Sequence, residues 1–387
     1  MSVHLRILAL LAAVAAALVV ALSASASTPP PVDARAVIVA DGRTGDVLYV
    51  ENADRRMAMA SITKLMTALV TLEHARPGEV VTVSPRAIGK GGSSIFLTAG
   101  EQLTVRHLLA AALIQSANDA AFALAAHVGD GSVPRFVQLM NEKAAELGLE
   151  DTHFVRPDGL DTPGHFSSAE DVLALSRIAM QRPLVRRLVR TKTMQIAGPR
   201  TLKSWNDLLW RVQGLVGVKT GHTDNAGWAQ VAAAKRGPTS VYAVILGSPG
   251  RERRNVDLTE LVEWGFDQYA TFTLVREGAR YATAAIPFED ERIGLVAAGG
   301  AARVVRLGDG TQFVERVVAP QMVDLPIQKG QKLGEVVVTL GDREVARVDL
   351  VAARDVPAPT FRERAGWYAD HALDEASDML AAVVPGL

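Results

Sequence analysis

Three short polar motifs stand in order along the chain and constrain its fold more than any other feature. They are Ser-Ile-Thr-Lys at residues 61–64, Ser-Ala-Asn at 116–118 and Lys-Thr-Gly at 219–221. Together they supply a serine nucleophile, an amine to take its proton, a second hydroxyl with an amide, and a cation on a strand. That chemistry requires a fold in which the three segments meet in one cleft.

The apolar pattern around the motifs predicts the elements that carry them. Ser61 opens an apolar-periodic segment, so we expect a helix with Ser61 and Lys64 on one face. Ser116 and Asn118 are expected at a turn between two helices. Helices combined with antiparallel strands indicate an α+β fold. The predicted elements are strands at 36–40, 47–50, 216–220, 227–234 and 240–246, and helices at 105–114, 118–128, 133–147, 168–178 (with Ser167 or Ser168 as N-cap) and 255–269.

Lys64 is the expected base for Ser61, in the only Ser-x-x-Lys of the chain. A lysine accepts a proton only when it is neutral. Lowering a lysine pKa from about 10.4 to near 7 costs roughly 4–5 kcal/mol. Burial and a nearby positive charge both lower this pKa, and Lys219 is the cation that we expect beside Lys64.

The second motif has a duplicate, because Ser-x-Asn also occurs at residues 204–206. Ser and Asn are favoured at helix caps, so the pattern alone does not choose between the two copies. We assign the function to residues 116–118, since their apolar surroundings suit a buried turn between helices. The segment at 204–206 has the composition of an exposed stretch.

The third motif is expected to close a strand at the edge of a sheet. An edge strand can pair with an extended peptide. Thr220 would add a hydroxyl, and Gly221 would let a substrate backbone approach without a Cβ. The main-chain N–H of His222 is expected to form an oxyanion hole with that of Ser61.

Composition excludes several other classes of function. The chain has 387 residues, enough for two domains, and its formal net charge of -1 gives no electrostatic case for binding nucleic acid. It has no Cys, which excludes thiolate catalysis and cysteine metal sites. The histidines show no metal-ligand spacing, so we expect neither a metal nor a cofactor.

The N-terminus is typical of an exported protein. His4 and Arg6 precede an apolar run at residues 7–22, and Ala-Ser-Ala at 24–26 matches a signal-peptidase site. We predict a signal peptide at 1–26, cleaved after Ala26, and an extracytoplasmic mature protein in the periplasm or cell-wall space. An uncleaved N-terminal anchor stays open as the alternative.

Changes in composition and in the hydrophobic pattern along the chain predict its domains. A proline-rich linker at 27–33 precedes a catalytic domain at 34–272. Short β-prone runs with glycine turns follow, which predict a β-rich domain at 273–356. The tail at 357–387 has a loosely helical pattern. An anionic membrane surface would repel the acidic side chains of this tail, so peripheral membrane contact stays an open alternative. These side chains are Asp370, Asp374, Glu375 and Asp378.

The chain resembles the low-molecular-mass penicillin-binding proteins, the serine-type D-alanyl-D-alanine carboxypeptidases, over roughly residues 32–356. This resemblance implies a penicillin-binding/β-lactamase-like transpeptidase fold, an antiparallel sheet with helices, followed by a small all-β domain. The segments that carry it are 59–68, 91–94, 115–121, 152–154, 157–160, 218–223, 326–330 and 350–356.

The resemblance also implies a role for each matching residue. Ser61 would attack the carbonyl between the two terminal D-alanines of a peptidoglycan stem peptide, with Lys64 as general base. β-Lactams would acylate the same serine and leave slowly. The remaining implied roles are Ser116 in proton relay to the leaving D-alanine, Asn118 in orienting Lys64 and the substrate amide, and Lys219 and Thr220 in holding the terminal carboxylate.

Three alternatives remain at this point. A D,D-endopeptidase would use the same machinery on cross-linked peptidoglycan. A β-lactamase often carries a Glu-x-x-Leu-Asn pattern for rapid deacylation, and no such pattern lies between Asn118 and Lys219. A non-catalytic wall-binding protein would not need the intact motifs.

Overall fold

The computed structural model describes residues 16–21, 27–307 and 312–369. The chain divides into two compact units, Ser27–Gln268 and Met1–Ala26 with Tyr269–Leu387. Short runs of residues with high β-propensity begin only near Leu274, which is why the sequence pattern placed the domain boundary after residue 272. The expected cleavage site at 24–26 and the acidic tail residues from 370 onward lie outside the described residues.

The described strands are β1 Ala16–Ala21, β2 Ala36–Asp41, β3 Val47–Glu51, β4 Val80–Thr82, β5 Gln102–Thr104, β6 Thr193–Gln195, β7 Thr201–Lys203, β8 Leu215–Thr223, β9 Gly227–Arg236, β10 Thr239–Ser248, β11 Tyr269–Val275, β12 Arg280–Ala285, β13 Arg292–Ala297, β14 Ala301–Arg306, β15 Gln312–Val318, β16 Lys332–Leu340 and β17 Arg343–Ala352.

The larger unit, Ser27–Gln268, is built on a five-stranded antiparallel sheet in the order β3-β2-β10-β9-β8. Strand β8 therefore lies at one edge, as the third motif predicts.

Helices cover both faces of this sheet, which explains why β2 is buried at every position. The last helix packs on one face with Leu258 and Leu261, and the others form the larger core on the opposite face. The helices are α1 Lys64–His74, α2 Val105–Ile114, α3 Asn118–Val128, α4 Val133–Glu146, α5 Ala169–Ala179, α6 Pro183–Val189 and α7 Arg251–Asp267.

The predicted helices at 105–114 and 118–128 are confirmed to the residue as α2 and α3. Ser168 is confirmed as the N-cap of α5, since its Oγ accepts a hydrogen bond from Asp171 N at 3.1 Å. Other elements differ from the prediction. Ser61 lies in a 3₁₀ turn, Ala60–Thr63, that leads into α1. Helix α7 starts at Arg251 rather than 255; its first turn is polar and carries no apolar periodicity, so the sequence pattern missed it. Helix α6 and the short strands β4 to β7 were not predicted.

Between Tyr269 and Ala352 the described elements of the second unit are all strands, so the predicted α+β fold with a following β domain is confirmed. Its main sheet runs β1-β15-β16-β17-β13-β12, and β11 pairs with β14. Within this unit β1 lies antiparallel to β15, with Ala16 opposite Val317. The core is mainly aliphatic, with Ile293, Leu295 and Leu350, and includes the ring of Phe313. After the sheet, residues 361–369 are helical.

None of the described helices combines the length and the apolar character that crossing a bilayer requires.

Candidate active site

The first motif places a hydroxyl and an amine in direct contact. Lys64 begins α1 just after the 3₁₀ turn that holds Ser61, so the two side chains share a face. Lys64 Nζ lies 2.7 Å from Ser61 Oγ. The Lys64 side chain is fully buried, whereas Ser61 borders a cavity.

The other two hydrogen bonds of Lys64 go to oxygens that can only accept. Nζ donates to Asn118 Oδ1 at 2.7 Å and to the carbonyl of Asp158 at 2.8 Å. Burial lowers the pKa of Lys64 to about 7. A neutral amine has two N–H donors and one lone pair. With both donors used, the lone pair faces the Ser61 hydroxyl.

Burial is the main cause of the lowered pKa of Lys64, and the charge of Arg156 adds to it against the opposing charge of Asp158. Burial and then the charge of Lys64 hold the pKa of Lys219 well below its usual value. Repulsion between two cations is mutual, so the two lysines disfavour each other's charge, and burial is the larger cause for both.

The second motif lies at the turn between α2 and α3. Ser116 has a left-handed backbone, with φ +63°, which turns the chain sharply before α3. Asn118 donates through Nδ2 to the carbonyl of Gly91 at 2.8 Å, and its N–H bonds to Ser93 at 2.7 Å. The loop that contains Gly91 and Ser93 thus holds in place the Asn118 amide, whose oxygen faces Lys64.

The duplicate Ser-x-Asn has a capping role. Asn206 Oδ1 accepts from Leu208 N at 3.2 Å, at the start of the 3₁₀ helix Asp207–Trp210, and from Gln230 Nε2 at 2.8 Å. Ser204 borders a neighbouring groove and does not border the cavity beside Ser61. The structure therefore places Ser116 and Asn118 beside Ser61 and Ser204 outside that cavity. The expectation of an exposed stretch at 204–206 is wrong for Asn206, which is 4 % exposed because its side chain caps a helix and bonds to Gln230.

The third motif connects strand β8 to the other two. Lys219 Nζ donates to Ser116 Oγ at 2.8 Å and to the carbonyl of Thr220 at 2.9 Å. Gly221 lines the cavity, where close approach of a substrate backbone stays a prediction, and packing adds a second requirement for it. A Cβ there would lie 2.9 Å from Met59 O and 3.2 Å from Ser61 N, so β8 packs directly on the turn that holds Ser61.

His222 follows on the same strand, where its ring stacks on Trp228 with centroids 4.0 Å apart. Its main-chain N–H stays a predicted oxyanion donor.

A cavity of about 300 Å³ joins these residues. Six of the eight predicted residues line it, while Lys64 and Lys219 lie buried beneath. The lining residues are Ser61, Gly92, Ser93, Ser116, Asn118, Leu160, Trp205, Thr220, Gly221, His222, Trp228, Arg251 and Arg254.

Sequence reasoning missed the basic wall of this cavity. Arg254 is 1 % exposed, and burial lowers its pKa to about 10, so it stays charged at neutral pH. Within the described residues its Nε has no hydrogen-bond partner, and the nearest carboxylate, that of Asp207, lies 3.6 Å from Nη2. One signal was available, since Arg251, Arg253 and Arg254 stand in the first turn of a helix, where the dipole disfavours cations.

The tryptophans of the wall were also missed. Trp205 donates through Nε1 to the carbonyl of Gln115 at 2.9 Å, which holds its indole at the rim beside the second motif. Arg251 lies over the Trp205 ring and Arg254 over that of Trp228, at 5.6 and 5.5 Å. Each contact pairs a cation with an aromatic face.

In the part of the chain that the structure describes, no group of three or more His, Asp or Glu side chains is placed to hold a metal ion.

Comparison with known proteins gives two family matches and several relatives. Residues 23–250 match the family D-alanyl-D-alanine carboxypeptidase, and 269–358 match the C-terminal domain of penicillin-binding protein 5. The D-alanyl-D-alanine carboxypeptidase DacF of Bacillus subtilis is 33% identical over 340 residues, covering 85% of this chain and 87% of the relative. DacA of Escherichia coli is 31% identical over 347 residues, 86% of each chain.

Solved structures of similar fold include a penicillin-binding protein and a DD-transpeptidase. Penicillin-binding protein 5 of Haemophilus influenzae superposes with a TM-score of 0.62 at 29% identity, covering 86% of this chain and 100% of that one. The DD-transpeptidase of Streptomyces K15 gives 0.60 at 33% identity, over 62% of this chain and 99% of that one. The chain therefore belongs to the D-alanyl-D-alanine carboxypeptidase family and is a serine-type peptidase.

Proposed function

We propose that the enzyme removes the terminal D-alanine from peptidoglycan stem pentapeptides through an acyl-enzyme on Ser61. One observation carries this proposal: among the residues that the structure describes, Ser61 Oγ is the only hydrogen-bond partner of Lys64 Nζ that can give it a proton. The residue roles below follow from the same contacts.

Acylation begins at the buried amine. Ser61 Oγ attacks the carbonyl between the two D-alanines while its proton passes to the lone pair of Lys64 Nζ. Because the bonds to Asn118 and Asp158 hold the amine in place, little reorganisation is needed at that moment. The N–H groups of Ser61 and His222 would stabilise the oxyanion.

Ser116 carries the proton to the leaving group. Its Oγ accepts a hydrogen bond from Lys219, which leaves its own hydrogen free to donate to the departing D-alanine nitrogen. The proton that Lys64 has gained then replaces it. Water then attacks the acyl carbonyl and gives one proton to Lys64, which passes it to Ser61 Oγ as the ester bond breaks and the shortened peptide leaves.

A positive wall would hold the terminal carboxylate. Thr220 offers a hydroxyl in the cavity, Lys219 places its amine close by, and Arg254 supplies a positive charge. A guanidinium suits a carboxylate well, since it presents several N–H donors in one plane. β-Lactams carry an equivalent carboxylate and would acylate the same serine.

The sequence also supports a proposal about where the enzyme is located and how its domains are arranged. A signal peptide at 1–26 would deliver the enzyme to the cell-wall space, where the stem peptides lie. The catalytic domain at 34–272 and the β domain at 273–356 would follow the linker at 27–33. The tail at 357–387 would come last, and its peripheral contact with a membrane stays a prediction.

Covalent labelling tests the nucleophile. Protein lacking residues 1–26 is incubated with a fluorescent penicillin, and we expect stable labelling that Ser61→Ala abolishes. Ser116→Ala should slow D-alanine release about 10²–10⁴-fold, whereas Ser204→Ala, the matched change in the duplicate motif, should leave it nearly unchanged. Labelling that survives Ser61→Ala would refute the assignment.

A substrate assay tests the reaction. D-Alanine release from a pentapeptide ending in D-Ala-D-Ala is compared with cleavage of a cross-linked peptide dimer. We expect the pentapeptide to react faster. Cleavage of the dimer alone would identify an endopeptidase instead.

A further inference from the structure

His165 is a buried titratable residue that the proposed reaction does not use, and it begins a hydrogen-bond chain that ends beside the nucleophile. Its side chain is 6 % exposed. Nε2 lies 2.8 Å from Thr63 Oγ1, which lies 2.8 Å from the carbonyl oxygen of Ala60. Ala60 directly precedes Ser61.

The chain has one consistent proton arrangement. Val155 N–H points at His165 Nδ1 from 3.0 Å and can only donate, so Nδ1 must carry the lone pair. In the neutral ring Nε2 then holds the hydrogen and donates it to Thr63 Oγ1. The hydroxyl hydrogen of Thr63 is left for the Ala60 carbonyl, which can only accept.

The surroundings keep this ring neutral. Burial lowers the pKa of His165 to about 4. Among the charges around it, Asp158 and Asp161 oppose this shift, and Arg156 and His153 add to it. A protonated ring would also turn an Nδ1–H toward the Val155 N–H.

The far end of the chain holds a strained residue. Ala60 has φ +49°, a left-handed backbone that L-residues other than Gly, Asn and Asp rarely adopt. Its side chain is a methyl group, which cannot stabilise this conformation by hydrogen bonding. The strain must therefore be held by neighbours, and strain held in this way is frequent at functional sites.

Two contacts supply that support. The Thr63 hydroxyl bonds the Ala60 carbonyl, and the backbone of Gly159 closes over it. A Cβ at Gly159 would lie 2.0 Å from Ala60 O and 2.6 Å from Thr63 Oγ1. The loop that contributes His165 thus clamps the peptide unit before Ser61.

We propose that His165 and Thr63 are positioning residues, which lock the Ala60 peptide so that Ser61 Oγ faces Lys64. This rests on the proposed role of Ser61 as the nucleophile. Neither side chain touches the substrate or the reacting atoms. Their effect is on the geometry of attack, where a small displacement has a large effect on rate.

Thr71 provides a matched control. It lies on α1, is fully buried like Thr63, and its Oγ1 also donates to a main-chain carbonyl, that of Thr67, at 2.7 Å. Thr71 does not line the cavity. Thr63→Val and Thr71→Val each remove a buried hydroxyl that donates to a main-chain carbonyl, one beside the nucleophile and one away from it. Thr63→Val also removes the acceptor of His165 Nε2, which is the link that the test addresses.

The test separates the rate of acylation from binding. Stopped-flow measurement with a fluorescent penicillin gives the acylation rate constant and the dissociation constant of the non-covalent complex. For Thr63→Val we expect acylation to slow about 10–100-fold, with the dissociation constant and thermal midpoint close to those of Thr71→Val. Thr63→Ser, which keeps the hydroxyl, should restore the rate to within about threefold of wild type.

A double-mutant cycle completes the test. His165→Phe should slow acylation like Thr63→Val, and the double variant should be no slower than either, because both break one chain. Equal acylation rates for Thr63→Val and Thr71→Val, or fully additive effects in the cycle, would overturn the proposal. Labelling that survives Ser61→Ala would instead overturn the proposed function, so the two failures are distinct.

Discussion

Lys64 is the residue whose surroundings decide the chemistry. A lysine on a surface helix would be charged and inert as a base at neutral pH. Here the side chain is buried and its two obligate acceptors lie on segments far from it in sequence, Asn118 and Asp158. The motif predicted which residue would be the base, but the cause of its lowered pKa came from packing.

The pKa of Lys64 predicts how acylation depends on pH. Because the base must be neutral and its pKa is lowered to about 7, acylation should rise as pH increases through 7 and then level off. Below that value the rate should fall about tenfold per pH unit. The measurement is the penicillin acylation rate between pH 5 and 9, with circular dichroism as the control for folding. A flat profile in folded protein would contradict Lys64 as the base.

Arg254 predicts a requirement for a free carboxylate on the substrate. Arg254→Gln should lower kcat/KM about 10–100-fold for a peptide ending in D-Ala-D-Ala, because a charged hydrogen bond is lost. Activity on the corresponding peptide amide should change little. Arg253→Gln is the matched control, since Arg253 pairs with Asp257 at 2.8 Å and does not line the cavity. Equal losses on acid and amide would argue against a carboxylate contact.

At the scale of elements, local patterns predicted the helices well and the loops poorly. Helices α2 and α3 have clear apolar surfaces and end where the sequence places their caps and turn. The irregular segment at 152–166 offered no periodicity. Yet it supplies the Asp158 carbonyl and the ring of His165, because its shape is set by contacts with the nucleophile turn.

Gly159 gives a prediction about this loop. It has φ +87° and lies against the Ala60 carbonyl, whereas Gly148, at φ +69°, has nothing within 4 Å of a built Cβ. Gly148→Ala should cost about 1–2 kcal/mol of unfolding free energy from backbone strain alone. Gly159→Ala should cost about 3 kcal/mol or more, since a steric clash is added. Denaturant unfolding measures both, and equal losses would show that the loop can shift away.

At the scale of the whole molecule, each unit has its own apolar core. The clusters of the catalytic unit lie between Ala36 and Trp264, and that of the β unit between Val275 and Val356. None of these clusters draws residues from both units. Separate cores are the physical basis for independent folding.

Separate cores predict that the catalytic unit works alone. A protein of residues 27–268 should unfold cooperatively and be acylated by penicillin at a rate within about threefold of the longer chain. Its matched control is the protein lacking only residues 1–26. A fragment that fails to fold, or that folds without being labelled, would show that the β unit is required.

The sequence alone determined the reaction class, the order of the motifs and the helices that carry two of them. These properties depend on residue identity and on spacing within a few turns, which local patterns report directly. The tertiary structure decided which atoms surround Lys64, why its pKa is lowered, and that Arg254 and two tryptophans form the cavity wall. Such contacts join residues 94 or 103 positions apart, as Lys64 to Asp158 and Lys219 to Ser116 do, so only packing of the whole unit can create them.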